Sequence, residues 1–118
     1  MTSVLLIATV TSLVANVSIA FADYARAPFV LANSAEVRVP PAALPYLAAL
    51  KLAGAAGLAI GLFGVHRLGL AAAVGLTLFY VGAILAHARA RVFHNIAFPG
   101  VFLLLAVAGI GFFAGGGR

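Results

Sequence analysis

The 118-residue chain contains no cysteine. That excludes a disulfide, a thiolate nucleophile and a cysteine-ligated metal. Charge is nearly absent as well, with two acidic and seven basic side chains. A water-soluble domain of this length needs far more charge to cover its surface. Also missing are a glycine-rich phosphate loop behind a strand, a nucleophile elbow, paired carboxylates, a sustained heptad and an internal repeat. Intramembrane acids are too few for a transporter built from inverted repeats.

What remains is apolar. Hydrophobic residues make up 65% of the chain and the mean hydropathy is +1.23, which places it in the membrane class. The net charge of +5 is spread among apolar runs and reads as a set of topology determinants, so no nucleic-acid partner is expected.

Four apolar segments run from Val4 to Ala22, about Leu44 to Gly64, Leu68 to Ala86 and Ile96 to Ala114. Each approaches the ~20 residues that a helix needs to cross the hydrocarbon. The turns "GVHRLG" and "HARARVFHN" are short, which makes neighbouring helices antiparallel. The expected fold is therefore all-α: one domain over 1–118, an integral-membrane antiparallel four-helix bundle with the lipid bilayer as its surroundings. Only Asp23 to Ala43 is a long connection. Its "PFVLANSAEVRVPP" predicts a short interfacial helix or a re-entrant turn between the first two spans, with Asn33 and Glu36 spaced like a capping box. Pro40 and Pro41 end that element and lead into the second span. "SIAFA" offers a signal-peptide cleavage spacing, but "MTSVLL" has no basic n-region, so the first segment is expected to stay as a span.

Arg26, Arg38, Arg89 and Arg91 fall in the first and third loops. Arg67 and Arg118 fall on the other side. Four against two predicts cytoplasmic loops and external termini.

The polar residues inside the spans are patterned. On the first segment Thr9, Ser12, Asn16 and Asp23 follow spacings of three, four and seven, one stripe on one helix face. Thr77, Tyr80, His87 and Arg91 make a second stripe on the third segment. Lys51, preceded by Tyr46, stands in the second, and His94 and Asn95 come just before the fourth. A polar stripe should turn inward, whereas the apolar fourth segment can face lipid. In an antiparallel bundle Asp23, Lys51, His87 and Asn95 lie at similar depth and ring one mouth, with Asp23 in reach of Lys51. The bland account has Lys51 snorkelling to the headgroups, Asp23 marking the membrane boundary, Arg89 and Arg91 anchoring the loop, and the glycines at 54, 57, 61 and 64 allowing close helix contact. The histidines give no three-ligand metal set, because His66 lies at the far end, and nothing supports a haem between His87 and His94.

The runs "LKLAGAAGLAIGLF" and "LGLAAAVGLTLFYVGAILAHARAR", with "ADYARAPFVLAN" and "PPAALPYLAALK" upstream, resemble the DoxX-like family of small four-helix membrane proteins, in an actinobacterial-looking branch. The resemblance covers about Asp23 to Pro99 and implies a bacterial cell membrane. It also implies a basic residue ending the first helix and a glutamate in the second. Here those positions match Asp23 and Lys51 with the signs reversed, as a true ion pair would permit. The family takes its name from a subunit linked to a terminal quinol oxidase and thiosulfate–quinone chemistry, and other relatives are accessory or chaperone-type membrane proteins. With no cysteine here, direct disulfide chemistry is out of reach.

Two function classes follow. In one, the mouth binds a small amphipathic molecule such as a quinone, a lipid or a polyketide- or terpenoid-like metabolite. The candidate ligand-binding residues are Asn16, Asp23, Tyr46, Lys51, Tyr80, His87, Arg91 and Asn95, and acid–base work would fall to His87 or Lys51. In the other, the protein is a non-catalytic subunit or assembly factor whose glycine-rich faces meet a partner subunit or a second copy.

Overall fold

The computed structural model describes residues 1–116. Arg118, one of the two cations counted for the second face, lies outside the described residues. Among the described residues four helices are long and apolar enough to cross a membrane: α1 (Thr2–Tyr24), α3 (Leu44–Leu62), α4 (His66–Arg89) and α5 (Ala97–Gly111), with α5 continued by a π turn at Phe112–Gly116. The fifth helix, α2 (Pro28–Glu36), lies in the long first connection. A 3₁₀ turn, Pro41–Ala43, leads into α3. No strand occurs among the described residues. The long dimension is 42 Å, close to the full thickness of a bilayer with its headgroups. Large apolar side chains such as Ile7, Phe21, Leu78, Leu85 and Leu104 stand exposed on the spans, as a lipid-facing surface requires.

The interfacial element of the first connection is a helix, but Asn33 and Glu36 do not cap it. Pro28 occupies its first turn behind Ala27, where proline's fixed φ and missing N–H favour helix initiation. The supposed capping pair therefore falls in its last turn. The spans also depart from the hydropathy boundaries. α4 runs from His66 to Arg89 rather than Leu68 to Ala86, because polar residues end an apolar run without ending a helix. α3 stops at Leu62, two residues early, because Gly64 adopts φ +128° and turns the chain.

The spans form a ring in which α1 packs on α3 and α5, and α4 packs on the same two helices. α1 and α4 thus face each other diagonally. The predicted inward stripe is found: Thr9, Ser12, Asn16 and Asp23 are all buried. Where water is excluded these groups need internal partners. Thr9 Oγ1 donates to the Leu5 carbonyl at 2.7 Å and Asn16 Nδ2 to the Ser12 carbonyl at 2.8 Å. Tyr80 reaches across the diagonal, its hydroxyl donating to Asn16 Oδ1 at 2.5 Å. The tyrosine ring fills the centre with Leu58, Leu76 and Phe102 around it, and its centroid lies 5.2 Å from that of Phe102. The apolar fourth span is therefore not a mere lipid-facing wall: it gives Phe102 to the core and buries Pro99, Ala106 and Gly109.

α3 and α4 approach closely at their glycines. A methyl at Gly61 would strike the backbone of Gly69, and one at Gly57 would strike the Ala72 side chain. Small residues at such spacing let backbones pack where no hydrophobic effect drives helices together. Gly75 has open space around it. Gly61→Val should therefore destabilise the bundle by about 1–3 kcal/mol through overpacking. Gly75→Ala should be neutral or stabilising by up to about 1 kcal/mol. Thermal unfolding of both variants in detergent checks the contrast; equal losses would refute the assigned crossing point.

Candidate functional site

α1 carries Asp23 in its last turn, and the antiparallel α3 carries Lys51 two turns from its start. The two side chains meet. Lys51 Nζ lies 2.7 Å from Asp23 Oδ2, with only 11% and 4% of the two side chains exposed. Lys51 is thus turned in against α1. Its ammonium also stands 5.5 Å from the Phe79 ring centroid, a cation–π distance.

This pair borders a cavity of about 420 Å³. Its walls come from α1, α3, α4 and α5, and it is roofed by Phe29, Val30, Asn33 and Ser34 of α2 and by Val37 just after that helix. Most of the lining is apolar. The polar groups are Asp23, Lys51, Tyr80, His87 and the two α2 residues Asn33 and Ser34. Leu50 and Leu78 also line the cavity and are exposed on the bundle's flank, so it opens sideways between α3 and α4. The same two residues, with Phe79, line a second groove, of about 590 Å³, that follows Ala53, Gly57, Ala71, Ala72 and Gly75 between those helices.

His87 is buried. Its Nδ1 lies 2.8 Å from the Ala83 carbonyl. A carbonyl only accepts, so Nδ1 carries the proton and, in the neutral ring, Nε2 keeps the lone pair. Nε2 is buried without a protein partner. An imidazole held in one tautomer this way can accept a proton and return it.

Above the cavity, the roof is stitched to the connection between α4 and α5. Asn95 Nδ2 donates to Asn33 Oδ1, and His94 Nε2 lies 2.5 Å from Glu36 Oε2. The second contact is on the surface, with 66% and 42% of its side chains exposed, so it contributes at most about 1 kcal/mol.

Of the residues singled out from sequence, Asp23, Lys51, Tyr80 and His87 border one cavity. Asn16 lies beneath it, bonded to Tyr80, and Asn95 lies above it, bonded to Asn33. Two do not join them. Tyr46 is 74% exposed, because five residues along a helix rotate it about 140° from Lys51. Arg91 is exposed, because α4 ends at Arg89 and Arg91 has left the helical stripe. Phe79 and the α2 roof were missed. The roof left a trace, since Val30, Asn33, Ser34 and Val37 follow a helical period, whereas Phe79 sits among apolar neighbours with nothing to mark it.

A family model described as "DoxX-like family" matches residues 7–109. No curated protein and no solved structure matches the chain.

A buried pair stripped of one partner leaves an uncompensated charge, which typically costs about 3–5 kcal/mol, whereas replacing both partners with apolar residues is close to neutral. Asp23→Asn or Lys51→Met alone should lower the melting temperature in detergent. The exchanged pair, Asp23→Lys with Lys51→Asp, should recover much of the loss. Additive losses in a double-mutant cycle would show that the two charges do not act together.

Proposed function

The chain belongs to the DoxX-like family of small membrane proteins, and on that premise we propose that it binds a small amphipathic molecule at the Asp23 mouth of the bundle. The observation that carries this reading is a buried Lys51–Asp23 pair set in the wall of a mostly apolar cavity. An apolar space with a few convergent polar groups is the usual form of a small-molecule site. Lys51 offers donors to an acceptor on the ligand, and the Nε2 lone pair of His87 is the group best suited to proton transfer with it. The lateral opening suits a molecule that partitions into lipid.

A second reading, an accessory membrane subunit, draws on the groove along α3 and α4. Ala53, Ala71 and Gly75 are exposed there, and small residues on a lipid-facing surface permit close approach of another helix. Native mass spectrometry in mild detergent separates the two. Under the first reading the wild type retains an apolar adduct that Ala86→Phe, which fills the cavity, removes and Gly75→Leu leaves in place. Under the second the wild type shows a dimer or a heteromeric mass that Gly75→Leu abolishes. A bare monomer under all conditions would remove both.

We further propose that the Asp23 mouth faces the cytoplasm, since Arg26, Arg38, Arg89 and Arg91 flank the spans on that side. A reporter inserted after Arg38 should read cytoplasmic and one inserted in the short turn at Gly64 external. The reverse pattern would invert the orientation.

A further inference from the structure

Four helices of this protein end in the same hydrogen-bonded turn. After α1, Arg26 N–H donates to the Asp23 carbonyl and Ala27 N–H to that of Ala22. After α2, Arg38 donates to Ala35 and Val39 to Ser34. After α3, Gly64 donates to Gly61 and Val65 to Ile60. After α4, Arg91 donates to Ala88 and Val92 to His87. Each is a Schellman turn, which places one residue in the left-handed region and usually employs glycine there. Glycine does so at the turn after α3, with φ +128°. The other three positions hold arginine, with φ of 52°, 64° and 59°.

The three arginine turns lie on the Asp23 face, and the glycine turn lies on the opposite one. A side chain in the left-handed region is strained relative to glycine. The helix dipole accounts for a cation near each carboxyl end, but not for a cation at the one strained position. Arg89, a residue still inside α4, serves the dipole without strain. Nor do internal acids account for it. The chain's only two acidic side chains are Asp23 and Glu36, engaged by Lys51 and His94. Arg26, Arg38 and Arg91 are exposed and enter no ion pair among the described residues. Their counter-charge must come from outside the chain. Arg38 stands between Val37 and Val39, both of which line the cavity, so Arg38 borders the mouth.

We propose that Arg26, Arg38 and Arg91 form a rim that binds the phosphate groups of anionic phospholipids in the leaflet at this face. The arginine fork matches phosphate geometry, and the rim stands whether or not a ligand occupies the cavity. The test is lipid retention by the purified protein in native mass spectrometry, from detergent micelles with equal amounts of phosphatidylglycerol and phosphatidylcholine. Juxtamembrane arginines attract anionic lipid strongly enough that phosphatidylglycerol should be retained roughly tenfold over phosphatidylcholine at low salt, falling as salt rises. Arg67→Gln, on the other face, should leave that preference intact. The triple variant Arg26→Gly, Arg38→Gly, Arg91→Gly should lose it while its melting temperature in neutral detergent stays the same or rises by a few degrees. A triple glutamine variant removes charge but keeps the strained backbone, and should lose the preference too. Equal retention of the two lipids by the wild type, or a preference that survives either triple variant, overturns the proposal. So does a preference lost equally in Arg67→Gln, which would mean diffuse charge. A melting temperature lowered by glycine would make the arginines structural. Displacement of phosphatidylglycerol by millimolar inorganic phosphate would reassign the rim to a soluble anion.

Discussion

An ammonium and a carboxylate buried against each other constrain this molecule more than any other contact. Each is expensive to hold away from water, and each is tolerable because the other is within hydrogen-bonding distance. Asp23 sits in the last turn of α1 and Lys51 two turns into α3, so the pair fixes how far the two helices slide past one another. With that offset set, the polar stripe of α1 meets the centre of the ring and Asn16 comes level with Tyr80 across the diagonal. The cavity is a by-product of the same register. Its walls are mostly apolar helix faces, and the ion pair shares its polar lining with Tyr80, His87, Asn33 and Ser34.

The two ends of the bundle solve the packing problem differently. Toward the far mouth, α3 and α4 close directly on one another through Gly57, Gly61 and Gly69, where no side chain larger than hydrogen fits without displacing its neighbour. At the Asp23 mouth, Leu47, Lys51, Phe79 and Ala83 stand between the helices instead. Space opens, and α2 lies over it. A tight crossing at one end and a roofed opening at the other is an arrangement in which one part holds the scaffold and the other is free to accept an occupant.

Much of this was legible in the residues. Thr9, Ser12, Asn16 and Asp23 repeat with the helical period, and a period specifies a face. Antiparallel order converts position along the chain into depth, which sets Lys51 opposite Asp23. Depth alone does not give rotation, and Tyr46 shows the difference: it shares a level with the mouth but points away from it. Arg91 fits the stripe of α4 arithmetically, yet the helix ends two residues before it, and a stripe has no meaning beyond the last turn. Asn33 and Glu36 carried a local signal, a capping spacing, while their actual partners, Asn95 and His94, lie about sixty positions away. Contacts at that separation leave no periodicity to read. The family resemblance agreed with the spans and with the match of opposite charges, but said nothing of the α2 roof.

The sideways opening between Leu50 and Leu78 has a kinetic consequence. On the aqueous side, α2 is tied to the next connection by two separate contacts, so lifting the roof means breaking both together. On the flank, the lining residues Leu50 and Leu78 are exposed and enter neither of those contacts. An occupant of the cavity would then arrive by diffusion in the plane of the bilayer, and the concentration that governs its binding would be its mole fraction in lipid rather than its molarity in water. Occupancy would fall when more membrane is added at constant total ligand, because the lipid is the solvent from which the protein draws.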